Sequence, residues 1–78
     1  MHFVYILHSK ILNKYYVGYT SISVDLRLKK HNSHHKGFTG KVSDWIVVWN
    51  ICYTEKREAL KLERKIKKRG IERYLDGL

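Results

Sequence analysis

Phe3 to Tyr19 reads FVYILHSKILNKYYVGY, and its two apolar runs decide the fold. Phe3–Leu7 and Tyr15–Tyr19 are rich in Val, Ile, Tyr and Phe, and they flank a polar connection that contains Ser9, Lys10, Asn13 and Lys14. Such runs on either side of a polar loop predict a β-hairpin. Tyr5 lies between Val4 and Ile6, Tyr16 precedes Val17, and Gly18 interrupts the second run. A glycine inside a strand costs packing and marks a place where another backbone or a ligand comes close. Tyrosine is a favoured strand residue that mostly packs. Taken alone, the stretch specifies a hairpin and no chemistry.

Outward from the hairpin, Ser21 to His34 is expected to be a helix. Ile22, Val24, Leu26 and Leu28 alternate as a strand would, but strong helix formers follow them. Thr20, Ser21 and Ser23 offer capping oxygens, and Asp25 stands four residues before Lys29, suiting the helix dipole and an i,i+4 pair. Val24 and Leu28 then share a face, with Arg27 and His31 one turn apart beside it. Ser33 to Asp44 is polar, contains Gly37 and Gly40, and reads as a loop. Trp45 to Tyr53 is an apolar strand whose two tryptophans, four residues apart, are assigned to one face and to the core. Thr54 is the expected N-cap of a second helix that ends in Lys67, Lys68 and Arg69, with Gly70 as its C-cap. Ala59, Leu62 and Ile66 form the apolar stripe of that helix, and Leu60 lies at its margin. Glu63 falls inside the apolar arc, where a carboxylate needs a cation, a metal or an exit to solvent. Ile71 to Leu78 makes a short packed tail.

The composition sets the frame. Seventy-eight residues make one domain, residues 1–78, with a core near the lower limit for independent folding. The single cysteine, Cys52, excludes an internal disulfide and, within its apolar run, is expected to be buried and inert. Met1–Leu7 has neither the basic leader nor the cleavage site of a signal peptide, and no apolar run approaches a bilayer span. A soluble, cytoplasmic protein without membrane partners is expected. Sixteen Lys and Arg against seven Asp and Glu give a net charge of +9, which favours a polyanionic partner, nucleic acid first and an acidic membrane surface second.

Tyr5, Tyr16, Arg27, His31 and Glu63 come from two strands and two helices and form one candidate group. A tyrosine of ordinary pKa, about 10, is ionised to roughly one part in a thousand at pH 7, a deficit of about 4 kcal/mol. Base chemistry at Tyr5 therefore requires positive charge nearby, which Arg27 and a cation on Glu63 would supply. Each residue also has a plain structural explanation: packed tyrosines, a solvated arginine, and a Glu63 salt-bridged to a neighbouring Lys or Arg. His31, His34 and His35 do not make a zinc site, because only Cys52 offers a thiolate and no closed four-ligand spacing appears. His34, His35 and Lys36 are read as a phosphate-facing loop.

The ordered set is specific. Val4-Tyr5-Ile6 is followed by Tyr16-Val17-Gly18, then by Arg27-Leu28-x-x-His31-Asn32, then by Glu58-Ala59-x-x-x-Glu63-x-x-Ile66-Lys67. From Phe3 to Lys68 this order resembles the GIY-YIG nuclease domain, and most of all its small stand-alone bacterial members. Phe3 stands where the first motif of the family has glycine. The resemblance implies an α+β fold, a small three-stranded antiparallel sheet flanked by helices. It implies Tyr5 as the general base that activates water and Tyr16 as a site-lining residue that orients water or phosphate. Gly18 matches the motif glycine at which the backbone approaches. Arg27 matches the arginine that stabilises charge on the phosphate, His31 a supporting hydrogen-bonding or acid–base histidine, and Glu63 the sole carboxylate ligand of one Mg²⁺ or Mn²⁺.

The function expected is metal-dependent endonucleolytic hydrolysis of DNA, branched, flapped or duplex, in repair or recombination. Lys29, Lys30, Lys36 and Lys67 are the expected nucleic-acid contacts, and in so small a domain a protein partner would supply specificity. The alternative is a catalytically inactive nucleic-acid-binding module. A basic protein docking on acidic membranes explains the charge but neither tyrosine nor Glu63.

Overall fold

The hairpin forms as its two apolar runs demand. In a computed structural model that describes residues 1–33 and 35–78, β1 (His2–Ser9) pairs antiparallel with β2 (Lys14–Thr20), bringing Tyr5 opposite Gly18 and Leu7 opposite Tyr16. Asn13 closes the turn at φ 51°, in the left-handed region that Asn tolerates better than most residues. The turn is clamped from a distance. Ser9 Oγ donates to Asp44 Oδ1 at 2.6 Å, Ile11 N–H donates to Asp44 Oδ2 at 3.0 Å, and Leu12 N–H donates to Ser9 Oγ at 3.1 Å.

β3 (Ile46–Tyr53) pairs antiparallel with the other edge of β1, so the sheet order is β2-β1-β3. The central strand is consequently buried from Val4 to Leu7. Its alternation sends Val4 and Ile6 to one face, where they meet Val17 and the Ala59 and Ile66 side chains of α2 (Lys56–Arg69). Ile71, Tyr74 and Leu75 of α3 (Ile71–Asp76) close that layer. Tyr5 and Leu7 take the other face with Trp45, Tyr16 and the Val24 and Leu28 side chains of α1 (Val24–His31). Each fully buried aliphatic contributes roughly 1.5–3 kcal/mol, so the two small clusters carry the domain between them.

The helices begin and end for local reasons. Ser23 caps α1 through its side-chain oxygen, which accepts from Leu26 N–H at 3.2 Å. The helix is thus shorter than the expected Ser21–His34 span. Asp25 and Lys29 do not form an ion pair among the described residues. Glu55 rather than Thr54 is the N-cap of α2, without a side-chain cap, and Gly70 ends the helix at φ 99° with its N–H on Ile66 O at 2.9 Å. No helix is long and apolar enough to cross a membrane among the described residues.

Three further expectations are overturned. Trp45 and Trp49 do not share a face: Trp45 joins the Tyr5 cluster and Trp49 the Val4 cluster. The register of β3 jumps from Ile6↔Trp49 to Leu7↔Val47, which leaves Val48 as an extra residue and inverts the parity of the strand. Cys52 is exposed, not buried, because it lies toward the end of an edge strand, opposite Phe3, beyond the side chains that α1 packs against the sheet. Ser33 to Asp44 is more than a polar loop, for it contains a 3-10 turn, Phe38–Lys41, with Thr39 buried at its centre. His34, read as part of a phosphate-facing loop, lies outside the described residues.

Candidate active site

Tyr5 reaches the site because Gly18 has no side chain. A Cβ at Gly18 would lie 2.6 Å from Tyr5 Cζ and 3.0 Å from Tyr16 Cε2. The Tyr5 phenol occupies that space. Tyr16, two residues before Gly18 on β2, shows the same sheet face, and its ring centroid is 6.5 Å from that of Tyr5 and 4.9 Å from that of His31. The hairpin therefore packs two tyrosines and a histidine into one aromatic corner.

α1 supplies the polar half. His31 closes its last turn, buried, and its Nε2 lies 2.6 Å from Tyr5 Oη. Its Nδ1 lies 2.7 Å from Thr39 Oγ1, so both ring nitrogens have partners. Arg27 stands one turn earlier, and its Nε is buried with no hydrogen-bond partner among the described residues. A buried guanidinium N–H left unpaired is costly, so Arg27 Nε is a candidate donor to an anion. Arg27, Lys30, His31, Ser33 and His35, none of them apolar, line a cleft of about 230 Å³. A larger cleft of about 500 Å³ lies elsewhere, between Tyr53 and α2, away from these groups.

The electrostatics are tuned against charge on the aromatic groups. Burial pushes the Tyr5 phenol above its ordinary value, and the charges of Tyr16 and Glu63 add to that rise. Arg27 opposes it, as a nearby donor and as a positive charge, without prevailing. Burial also holds His31 down at about 4, helped by the positive charges of Arg27 and His35, so its imidazole is neutral at pH 7.

Glu63 enters from the other layer. It lies with Ala59 and Ile66 along the sheet-facing stripe of α2, its side chain 16% exposed, and its Oε2 is 3.7 Å from Lys67 Nζ. Among the described residues no hydrogen bond joins Glu63 to Tyr5, Tyr16, Arg27 or His31, although its charge is felt at Tyr5. Among the same residues no group of three or more His, Cys, Asp or Glu could encage a metal. A lone carboxylate nonetheless suits Mg²⁺, which keeps several waters and is held by one or two carboxylates plus substrate phosphate. The donor set fits Mg²⁺ or Mn²⁺ and does not fit zinc. Of the expected nucleic-acid contacts, Lys30 lines the cleft, Lys29 and Lys36 are exposed outside its lining, and Lys67 is exposed beside Glu63.

Thr39, His35, Trp45 and Asn32 complete the site; the sequence marked His35 only as part of a phosphate-facing loop and Asn32 only as the residue after His31, and it assigned Thr39 and Trp45 no part in the site. Trp45 Nε1–H donates to Thr39 O at 2.8 Å. Asn32 clasps the Trp45 backbone, accepting from its N–H at 2.9 Å and donating to its C=O at 3.1 Å. The sequence signal was the Asn32 that directly follows His31; nothing in the loop composition distinguished Thr39.

A family model described as the GIY-YIG catalytic domain matches residues 1–74 of the chain. No curated protein and no solved structure matches it.

Proposed function

The chain belongs to the GIY-YIG family of nuclease domains, and from that premise we propose that it is a divalent-metal-dependent endonuclease that hydrolyses phosphodiester bonds in DNA. The observation that carries the reading is the unpartnered Arg27 Nε beside the Tyr5–His31 pair, an anion-directed donor next to a candidate base. Phosphate is the anion a +9 chain attracts.

In the reaction, Tyr5 first releases its phenol proton to solvent and then, as the phenolate, takes a proton from water. The water O–H bond breaks and an O–H bond forms at Tyr5 Oη. The freed electron pair on oxygen attacks phosphorus, and the P–O3′ bond breaks with its pair leaving on the 3′ oxygen. Arg27 meets the charge that develops on the non-bridging oxygens, as a preorganised donor in a partly buried site. Tyr16 confines water and phosphate against the Tyr5 ring. Glu63 would hold the divalent ion, which when bound supplies Lewis-acid polarisation of a phosphate oxygen and offsets the carboxylate charge felt at Tyr5. Lys30 in the cleft and Lys29, Lys36 and Lys67 around it would contact neighbouring phosphates. Such a domain acts in the cytoplasm on branched, flapped or duplex DNA, in repair or recombination, with a partner protein adding specificity.

The test is Glu63→Gln, which keeps the side-chain shape and removes the charge. Mg²⁺-dependent cleavage should be abolished while the fold persists by circular dichroism. A Glu63→Gln variant that cuts at the parental rate would make Glu63 a salt-bridge partner of Lys67 and nothing more.

A further inference from the structure

One backbone N–H sets the direction of a hydrogen-bond chain that ends on Tyr5. Gly37 N–H lies 3.0 Å from His35 Nδ1. A backbone N–H only donates, so Nδ1 of His35 accepts and a neutral His35 ring carries its proton on Nε2. That nitrogen is 3.0 Å from Thr39 Oγ1 and donates to it. The Thr39 hydroxyl has a single proton, and its other neighbour in the chain is His31 Nδ1, at 2.7 Å. It therefore donates there, and Nδ1 of His31 accepts. The proton of His31 is left on Nε2, 2.6 Å from Tyr5 Oη.

The loop is built to hold this chain. Thr39 is buried, and its carbonyl is tied to the Trp45 indole, which Asn32 fixes to the end of α1 next to His31. A Cβ at Gly40 would lie 2.8 Å from the carbonyl carbon of His35 and 2.9 Å from its nitrogen, so the turn folds directly onto the His35 backbone. A Cβ at Gly37 would lie 2.9 Å from His35 Cε1, so the ring also needs a glycine beside it.

We propose that His35 and Thr39 are positioning residues which fix His31 as its Nε2–H tautomer, so that His31 donates a hydrogen bond to Tyr5 Oη and does not receive the Tyr5 proton. The tautomer stands on geometry alone; its catalytic consequence rests on the nuclease reading. A donor on the phenolic oxygen favours the phenolate, the form Tyr5 needs as a base, and offsets part of the opposing burial. The reluctance of His31 to take a second proton agrees with a donor role. The proton taken from water then stays on Tyr5 Oη and leaves through solvent, not along the histidine chain.

The test is long-range ¹H–¹⁵N NMR of the histidine side chains in the full chain at neutral pH, without DNA or metal. His31 should show a protonated Nε2 and a bare Nδ1. Thr39→Val removes the donor to Nδ1, and the Nδ1–H form should become detectable; Thr39→Ser should restore the parental pattern. Because His35 is exposed, His35→Ala tests the same chain without touching the core, and it too should mix the tautomers. An Nδ1–H tautomer in the parent overturns the proposal, and so does a tautomer unchanged in both Thr39→Val and His35→Ala. In cleavage assays Thr39→Val should lower kcat by about 2- to 12-fold, the net worth of one hydrogen bond, with KM for DNA unchanged and Ser rescuing the loss. A parent with the expected tautomer that cleaves nothing upholds the positioning and removes the nuclease reading, so the two failures are distinguishable.

Discussion

Acidification should destabilise the fold through His31 more than through any other single imidazole whose shift the structure defines. In the folded chain His31 is held at about 4, against 6.5 for an ordinary histidine, by burial and by the Arg27 and His35 charges. Between these values the unfolded chain binds a proton that the folded chain refuses, so stability rises with pH across the window. The contribution is complete above about pH 6.5 and is lost as pH falls toward 4. At about 1.4 kcal/mol per pH unit the loss comes to about 3 kcal/mol. A domain of this size holds only about 4–12 kcal/mol in total. Urea denaturation of the parent and of His31→Phe from pH 7.5 to pH 4 separates this effect from the substitution's own constant cost. The parent should lose about 3 kcal/mol more than the variant over that range. Parallel stability profiles for the two proteins would refute the burial of a neutral His31.

Two further outcomes follow from the same geometry. Gly18→Ala should cost about 1–3 kcal/mol by overpacking and should slow cleavage beyond that, because the new methyl displaces the buried Tyr5 ring; thermal melts and rates on one DNA would show both, and an unperturbed melt would contradict the packing. Affinity for duplex DNA should fall with salt at a log–log slope of about −0.9 per phosphate contacted, as titrations by fluorescence anisotropy would read, and a flat response would remove nucleic acid as the main partner.

The hairpin and its central strand were legible as two β-type runs around a polar loop, and α2 by its three- to four-residue spacing in Ala59–Ile66; α1 was legible from its capping residues and helix formers despite a strand-like alternation at its start. Glu63 was legible as an anomaly, a carboxylate within an apolar stripe, and Gly18 as a strand glycine that demands a neighbour. Tyr5, Tyr16, Arg27 and His31 were found by their order along the chain, and the fold brings those four together. Parity could not be read across β3, since one extra residue at Val48 sends Trp49 to the face opposite Trp45. Cys52 misled because an apolar run says nothing about which strand lies at an edge. Thr39 was invisible, and His35 was read only as part of a phosphate-facing loop, because their places beside His31 come from a tight turn that returns onto α1, and composition carries no trace of that path.

The most direct measurement is the cleavage rate of Tyr5→Phe against its affinity, on one DNA at one salt concentration with Mg²⁺ present. The change deletes one hydroxyl and leaves His31 Nε2 without its partner, so about 1–3 kcal/mol of stability should go with it; the assay is therefore run well below the variant's Tm. Positioned acid–base catalysis typically contributes about 10²–10⁴-fold, and the rate should drop by about that factor while DNA affinity holds. A variant that binds and cuts like its parent, or a parent that binds DNA tightly and cuts none with Mg²⁺ or Mn²⁺, would contradict the account.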